Sequence, residues 1–196
     1  MEEHSQLFNG REHAGYYYKI KGHAYFSQPE KQIGVVWYNG TSYNNLPIFY
    51  DTYKDELVLS DMQRLVNISL PSQAVNRFSI LNHTFIRLEG IANMPDGYYD
   101  VLSGDTVQVL AKRKKNLLEK LGEKVTEREF IQDDSFYIYK NGAYFPVKNR
   151  RAVLKVFMDK KAELQQYIRK SQLNVRDDFE KSLVDIVEYY KQLTSS

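Results

Sequence analysis

The chain has 196 residues, of which 42% are hydrophobic and 27% are charged, and its formal net charge is only +2. These values are normal for a folded domain and exclude extensive disorder, and the nearly balanced charge disfavours a nucleic-acid-binding protein. Cysteine is absent, which excludes disulfides and thiolate metal sites. No apolar run approaches the roughly 18 residues of a transmembrane helix, so no transmembrane segment is predicted.

Tyrosine is the enriched residue type, with 16 Tyr and 10 Phe against a single Trp. Tyrosine suits a half-buried pleated surface, where its ring packs and its hydroxyl reaches water. The composition therefore favours β-sheet over helix. The alternative interpretation is a face that stacks sugars or bases, and the consecutive residues Tyr16, Tyr17 and Tyr18 are its candidates.

Short strands separated by turns are predicted through the first two-thirds of the chain. Asn39-Gly40 suits a type I′ turn, which joins antiparallel strands, and Asn141-Gly142 repeats the pattern. Ser103-Gly104 and Asn82-His83 mark two further tight turns. Because strands joined by such short loops must be antiparallel, we predict an antiparallel sheet or partly open barrel over about residues 7–148.

A charged, weakly patterned segment follows the third hairpin, and we expect residues 112–129 to be a mobile excursion. It opens with the densest basic run of the chain, Lys112-Arg113-Lys114-Lys115. This run could contact phosphates or an anionic membrane, but the glutamates that follow dilute its field. We therefore interpret it as the solvated end of a hairpin.

Two to three helices are predicted over about residues 150–194, because the apolar residues there recur at helical spacing. Asp159 is expected to cap the second helix, and Asp177 or Asp178 to begin the third. We expect the helical C-terminal region, 149–196, to pack on the mainly β region, 1–148. The two regions are expected to form one structural domain.

The apolar positions fall on one stripe of each helix. They are Val153, Leu154 and Phe157 in the first, Leu164, Tyr167 and Ile168 in the second, and Phe179, Leu183, Ile186, Val187, Tyr190 and Leu193 in the third. In the third helix we expect the stripe from Phe179 to Tyr190 to be buried and the opposite positions to face water. Those opposite positions are Lys181, Asp185, Glu188 and Lys191.

No catalytic or cofactor motif is found in the sequence. It contains no glycine-rich phosphate loop, nucleophile elbow, zinc-binding helix or calcium loop. Of the four histidines, His4, His13, His23 and His83, none has a metal-ligand spacing to another. His13 and His23 could converge across a hairpin, but we interpret them as surface or turn histidines. No catalytic, cofactor-binding or metal residue is therefore assigned, and no cofactor is expected.

Two pairs of adjacent carboxylates could support acid–base chemistry or hold a metal ion. Asp133-Asp134 precede a predicted strand, on which adjacent residues point to opposite faces, so this pair does not converge. Asp177-Asp178 precede a predicted helix, where a carboxylate caps the backbone and complements the helix dipole. We interpret both pairs as structural.

Three blocks of sequence carry a resemblance. They comprise 37–43, 46–51 and 54–57, then 83–88, and finally 136–142, 159–161 and 167–170. Over roughly residues 7–193 these blocks resemble a family of uncharacterised exported proteins from Gram-negative anaerobes and their environmental relatives. No activity is assigned to that family, so the resemblance implies no catalytic residue. It implies export with removal of a signal sequence, and hence a periplasmic or cell-envelope location; the alternative is a cytoplasmic protein.

Two classes of function are expected from these observations. The first is a non-catalytic exported module that binds a protein partner or a cell-envelope component. The second is a small-ligand or carbohydrate carrier, or an enzyme, with a cleft in the sheet lined by Tyr and Phe. Convergent polar groups in a cleft would favour the second class, and a flat exposed apolar patch would favour the first.

Overall fold

The computed structural model describes residues 10–16, 19–61, 65–121 and 126–195. These residues form an α+β fold of open antiparallel sheets with three C-terminal helices, which confirms the predicted fold class. The chain divides into two compact units, Met1–Ile91 with Pro95–Tyr99 and Arg113–Asp134, and Ala92–Met94 with Asp100–Lys112 and Ser135–Ser196. The grouping of 1–148 and 149–196 into one structural domain stays a prediction.

The strands and helices have the following bounds. The strands are β1 Arg11–Glu12, β2 Gln32–Tyr38, β3 Thr41–Asp51, β4 Glu56–Asp61, β5 Val66–Ser69, β6 Val75–Ile80, β7 His83–Leu88, β8 Gly97–Ser103, β9 Gln108–Lys112, β10 Lys115–Leu121, β11 Thr126–Gln132, β12 Ser135–Lys140 and β13 Ala143–Val147. The helices are α1 Arg150–Val156, α2 Lys161–Lys170 and α3 Phe179–Thr194. Within the described residues, no helix has the length and apolar character needed to cross a bilayer.

The predicted hairpin turns shape the sheets. Asn39 and Gly40 have φ angles of 48° and 81°, and Asn141 and Gly142 have 53° and 80°. Both pairs thus adopt the left-handed conformations of a type I′ turn, which Asn and Gly tolerate. The turn at Ser103-Gly104 joins β8 to β9 as predicted. The turn predicted at Asn82-His83 lies one residue earlier, because His83 already pairs with Ile80 at the start of β7.

The first unit contains a sheet in the order β1-β5-β4-β3-β2-β6-β7, in which neighbouring strands are antiparallel. Because side chains alternate between the faces of a strand, one face of this sheet carries the apolar core. Tyr50, Phe78 and Phe85 are fully buried there, and the rings of Phe78 and Phe85 stack at 4.7 Å.

Gly34 marks a close approach between β2 and β6 of this sheet. A Cβ atom at this position would lie 2.5 Å from the carbonyl oxygen of Ser79 and 2.7 Å from the side chain of Ile80. The register of β2 against β3 also shifts between Gly34 and Val36. Only glycine fits this β-bulge without moving β6.

The segment predicted to be a mobile excursion is instead an ordered antiparallel ribbon in its described part, formed by β10 and β11. Its pairs are complementary across the ribbon: Leu117 lies opposite Phe130, and Glu119 opposite Arg128. The Nε of Arg128 also donates to Glu119 at 2.6 Å. Cross-strand pairs of this kind stabilise a ribbon although the sequence of each strand shows little alternation.

The second unit packs its helices on β9, β12 and β13. Leu183, Ile186, Val187 and Tyr190 of α3 are buried, as predicted. Phe179 is only half-buried, because it is the first residue of α3 and meets Phe136 edge-on at 5.4 Å. The prediction that every opposite position faces water is wrong for Asp185 and Lys191, which are half-buried.

Polar contacts explain two of the differences in the helical region. Lys191 is drawn inward because its Nζ donates to Ser103 Oγ at 2.7 Å. Asp159 does not cap α2, whose N-cap residue is Lys160. Its carboxylate instead accepts from Lys140 Nζ at 2.9 Å and from Tyr190 OH at 2.8 Å. Asp178 is the N-cap residue of α3, as predicted, but the prediction that its carboxylate caps the backbone is wrong, because its side chain makes no capping hydrogen bond.

Candidate functional site

An open cleft of about 550 Å³ lies in the first unit. Its wall is formed by the residues that enter β4, by the end of β5 with the turn that follows, by the start of β8, and by Arg87 near the end of β7. These segments are far apart in the sequence and meet because β4 pairs with β5 in the sheet. The cleft lies within the size range of roughly 300–1,000 Å³ that small-molecule sites occupy.

Two buried polar atoms on this wall lack a hydrogen-bond partner among the described residues. They are the hydroxyl of Tyr98, whose residue is 0% exposed, and Nε of Arg87. Burial, with the nearby carboxylate of Asp55, raises the pKa of Tyr98, so its hydroxyl keeps its proton at neutral pH. Leaving such a donor unpaired costs about 1–3 kcal/mol. Both atoms are therefore hydrogen-bond donors covered by their neighbours, and a molecule in the cleft would satisfy them where the covering side chains move aside.

The charged side chains of the cleft are balanced in sign. Its wall carries Arg11, Lys54 and Arg87 together with Asp55, Glu56 and Asp96. Several of these charges have partners within the protein. Arg11 pairs with Glu56 through Nη2 and Oε1, and Asp96 Oδ1 accepts from the backbone N–H of Gly90 at 2.8 Å.

A polar cluster adjoins the cleft and shares Glu56 and Ser69 with its wall. We define it as His13, Asp51, Glu56 and Ser69. Sheet register brings them together, because Asp51 lies opposite Glu56 and the N–H of His13 donates to Asn67 O at 2.8 Å, beside Ser69. The side chains of His13 and Asp51 are 1% and 0% exposed.

The polar cluster is connected by short contacts. Ser69 Oγ donates to Glu56 Oε2 at 2.7 Å and lies 3.1 Å from His13 Nδ1. On the other side of the imidazole, Nε2 lies 3.6 Å from Asp51 Oδ2, beyond hydrogen-bond distance. Asp51 Oδ2 accepts from Tyr16 OH at 2.6 Å. The cluster therefore contains a serine hydroxyl between a histidine and a carboxylate.

Burial sets the protonation of this cluster. It lowers the pKa of His13, and the opposing effect of the Asp51 and Glu56 carboxylates is smaller. Burial alone would raise the pKa of Glu56, but hydrogen bonds from Ser69 and Arg11 outweigh it and lower that pKa. At neutral pH the serine thus lies between a neutral imidazole and an ionised carboxylate, both of which can accept its proton.

The prediction that His13 is a surface or turn histidine is wrong. Its ring meets Phe49 edge-on at 6.0 Å and lies 6.2 Å from the ring of Tyr25. The same tyrosine stacks on His23 at 6.4 Å, so the two histidines flank one aromatic side chain. His23 is half-buried, and its Nδ1 lies 3.4 Å from Lys115 Nζ.

The basic run is not a solvated hairpin end, because Lys112 and Arg113 are buried. Arg113 Nη1 donates to Asp134 Oδ2 at 2.9 Å. Lys115 Nζ donates to the backbone carbonyls of His23 and Tyr25 at 2.8 and 2.7 Å. These internal bonds direct much of the run into the protein and away from an external phosphate.

The carboxylate pairs have structural partners. In the first pair, Asp134 accepts from Arg113, and Asp133 Oδ2 accepts from Asn116 at 2.6 Å. In the second pair, Asp177 Oδ2 accepts from Asn174 at 2.9 Å. In the part of the chain that the structure describes, no group of three or more His, Asp and Glu side chains could hold a metal ion.

The aromatic candidates only partly meet the expectation of a Tyr- and Phe-lined cleft. Tyr16 packs edge-on against Phe130 at 5.1 Å and Tyr53 at 6.0 Å and is not among the residues that line the cleft. Tyr17, Tyr18 and His4 lie outside the described residues. The cleft wall itself is mainly charged, with Tyr98 as its aromatic member.

Sequence reasoning missed this site because its members are scattered. Ser69 and His13 are 56 residues apart, and neither belongs to a recognised motif. Tyr98 likewise belongs to no recognised motif. Comparison of the chain with family models, with curated proteins and with solved structures found no match in any of the three.

Proposed function

We propose that this chain is a non-catalytic small-ligand carrier, which belongs to the second class of function expected from the sequence, and that the cleft of the first unit holds its ligand. The observation that supports this most directly is the pair of buried donors, Tyr98 OH and Arg87 Nε, on the wall of one cleft. A few convergent polar groups in a concave site are typical of ligand binding. A cell-envelope component, as expected from the sequence, would place a polar group in the cleft, and that group would have to match the size of the cleft.

The test removes one hydroxyl from the cleft. The protein is screened by ligand-observed NMR against small polar metabolites and soluble fragments of cell-envelope polymers, and hits are measured by calorimetry. Tyr98→Phe should weaken binding by about tenfold, as expected for one lost hydrogen bond in a buried site. Tyr99→Phe is the matched control, because Tyr99 OH donates to Pro95 O within the protein. Equal affinity of both variants would contradict the proposal.

Export is part of this proposal and is supported by the family resemblance alone. Fractionation of cells that express the full-length gene product tests it. We expect the protein in the periplasmic or envelope fraction, with a shortened N-terminus by mass spectrometry. Recovery of the unprocessed protein in the cytoplasmic fraction would contradict export while leaving the cleft proposal in place.

A second candidate function is acyl transfer, because Ser69 Oγ lies 3.1 Å from a neutral imidazole and 2.7 Å from a carboxylate. In such a reaction Ser69 Oγ would attack an acyl carbon, and its proton would pass to His13 or Glu56 and then to the leaving group. A fluorophosphonate probe distinguishes the two functions. Labelling that is lost in Ser69→Ala and kept in Ser72→Ala, which changes another serine of the cleft wall, would support catalysis and overturn the non-catalytic assignment.

A further inference from the structure

We infer that the ligand of the cleft is a neutral polyhydroxylated molecule of the carbohydrate class. This inference rests on the proposed binding function and adds the chemistry of the ligand. Three features of the wall carry it: the presence of both donors and acceptors, the balance of charge, and the apolar residues in the same lining.

The wall carries both hydrogen-bond donors and hydrogen-bond acceptors. Tyr98 OH and Arg87 Nε are the buried donors without a partner among the described residues. The carboxylates of Asp55 and Asp96, which when ionised only accept hydrogen bonds, line the same cleft. One oxygen of each already accepts within the protein, from Tyr50 OH and from the N–H of Gly90, and a carboxylate oxygen can accept more than one hydrogen bond. A hydroxyl group both donates and accepts, so adjacent hydroxyls on one ring match a wall of this kind, whereas a carbonyl or phosphate only accepts.

The charge balance disfavours an ionic ligand. An anion would meet three carboxylates, Asp55, Glu56 and Asp96, and a cation would meet Arg11, Lys54 and Arg87. The cations also have partners within the protein, which an anion would have to displace.

Those partners are specific. Arg11 pairs with Glu56, Arg87 Nη1 with Glu89 at 2.5 Å, and Lys54 Nζ donates to Ala14 O at 3.0 Å. Strong anion sites use charge-assisted, often bidentate, contacts from guanidinium groups. A neutral ligand instead forms hydrogen bonds with the polar groups of the wall, and neither the carboxylates nor the cations of the cleft repel it.

The remaining wall is apolar and suits the C–H face of a sugar ring. Leu70 and Pro71 follow β5 directly and line the cleft beside Ser69 and Ser72. Apolar patches next to oriented polar groups are the usual composition of a small-molecule site. The cleft therefore has polar groups that match the hydroxyls of a pyranose ring and apolar residues that match its C–H face.

The experiment compares ligand classes of similar size on the full chain. The neutral probes are glucose, galactose, mannose, N-acetylglucosamine and maltose; the charged probes are glucuronate, glucose 6-phosphate, glucosamine and the zwitterion glutamine. Binding is measured by saturation-transfer NMR and calorimetry. We expect at least one neutral sugar to bind about tenfold more tightly than any charged probe.

Two variants place that binding in the cleft. Tyr98→Phe removes a donor, and Asp96→Asn exchanges a carboxylate for an amide that can still accept from Gly90. Each should weaken the sugar by about tenfold, while Tyr99→Phe should leave it unchanged. Circular dichroism and thermal melting of each variant verify that the fold is retained.

The outcomes separate the two proposals. Binding of a charged probe that is sensitive to Tyr98→Phe, without binding of any neutral sugar, overturns the ligand class and leaves the binding function standing. If neither Tyr98→Phe nor Asp96→Asn changes the affinity for the sugar, the proposed site and the inference are both overturned. If no probe of this panel binds, the inference fails, and the proposed function then depends on the wider metabolite screen.

Discussion

The layer beneath α3 and the polar cluster of the first unit are both buried, but they are buried for different physical reasons. Leu183, Ile186 and Val187 are fully buried apolar side chains, so hydrophobic burial and packing account for their position. His13 and Asp51 are equally inaccessible but polar, and burying such groups costs free energy that hydrogen bonds only partly recover. Packing therefore accounts for the first region, whereas the second is held by hydrogen bonds such as those from Ser69 to Glu56 and from Tyr16 to Asp51.

The largest effect is expected from the apolar layer. Leu183→Ala should lower the free energy of unfolding by about 2–5 kcal/mol, the usual cost of truncating a fully buried leucine. Phe179→Ala should cost less, because Phe179 is only half-buried. Chemical denaturation at low protein concentration measures both. A change below about 0.5 kcal/mol for Leu183→Ala, the range of surface substitutions, would show that α3 is not part of the core.

Ser69→Ala addresses the polar cluster and should have a smaller effect. The substitution leaves Glu56 Oε2 and His13 Nδ1 without their hydroxyl partner, at a cost of about 1–3 kcal/mol. Ser72→Ala on the same cleft wall is the comparison and should cost less, since Ser72 is not part of the cluster. Denaturation curves that rank the two variants in the opposite order would break the distinction between cluster and wall.

The two regions should also differ in their response to pH. Burial lowers the pKa of His13 below its ordinary value of 6.5, so below that pH the unfolded chain takes up a proton that the folded protein does not. The free energy of unfolding should therefore fall as the pH is lowered from about 7.5 to about 5.5, by at most about 1.4 kcal/mol per pH unit for one proton.

His13→Asn should flatten this pH dependence. His23→Asn should flatten it less, because His23 is only half-buried although burial also lowers its pKa. Glu56, whose pKa is lowered, contributes stability that is lost only at more acidic pH, outside this window. Denaturation midpoints at several pH values test this, and an unchanged slope in His13→Asn would contradict the assigned protonation.

The smallest effect on stability is expected at the cleft itself. Tyr98→Phe removes a buried hydroxyl that has no partner among the described residues, so the free energy of unfolding should change by less than about 0.5 kcal/mol or increase. Tyr99→Phe removes a hydroxyl that donates to Pro95 O and should cost about 1 kcal/mol. If Tyr98→Phe proves the more destabilising, its hydroxyl has a structural role instead of a role in binding.

The parts of the fold that could be predicted are those determined by neighbouring residues. Asn39-Gly40 specifies its turn through the φ angles that Asn and Gly tolerate, and the α3 stripe follows from helical spacing alone. The β10–β11 ribbon was missed because its stability comes from pairs such as Leu117 with Phe130, which are brought together only by the fold.

The candidate site was harder to predict for the same reason. Ser69 lies next to His13 only because β1 pairs with β5, and no local pattern encodes that pairing. Tyr98 joins Arg87 and Glu56 on the cleft wall from three separate strands. Residue types alone therefore indicated four scattered histidines and no site.

Gly34 has a consequence for how this sequence can change over evolutionary time. With the carbonyl of Ser79 only 2.5 Å from where a Cβ would lie, any other residue requires β6 to shift, so substitutions there need compensating changes in a second strand. Surface positions around it carry no such restriction and diverge freely. A search pattern that fixes glycine at this position, followed by the Asn-Gly turn at 39–40, should therefore recover distant relatives whose overall identity has fallen below recognition.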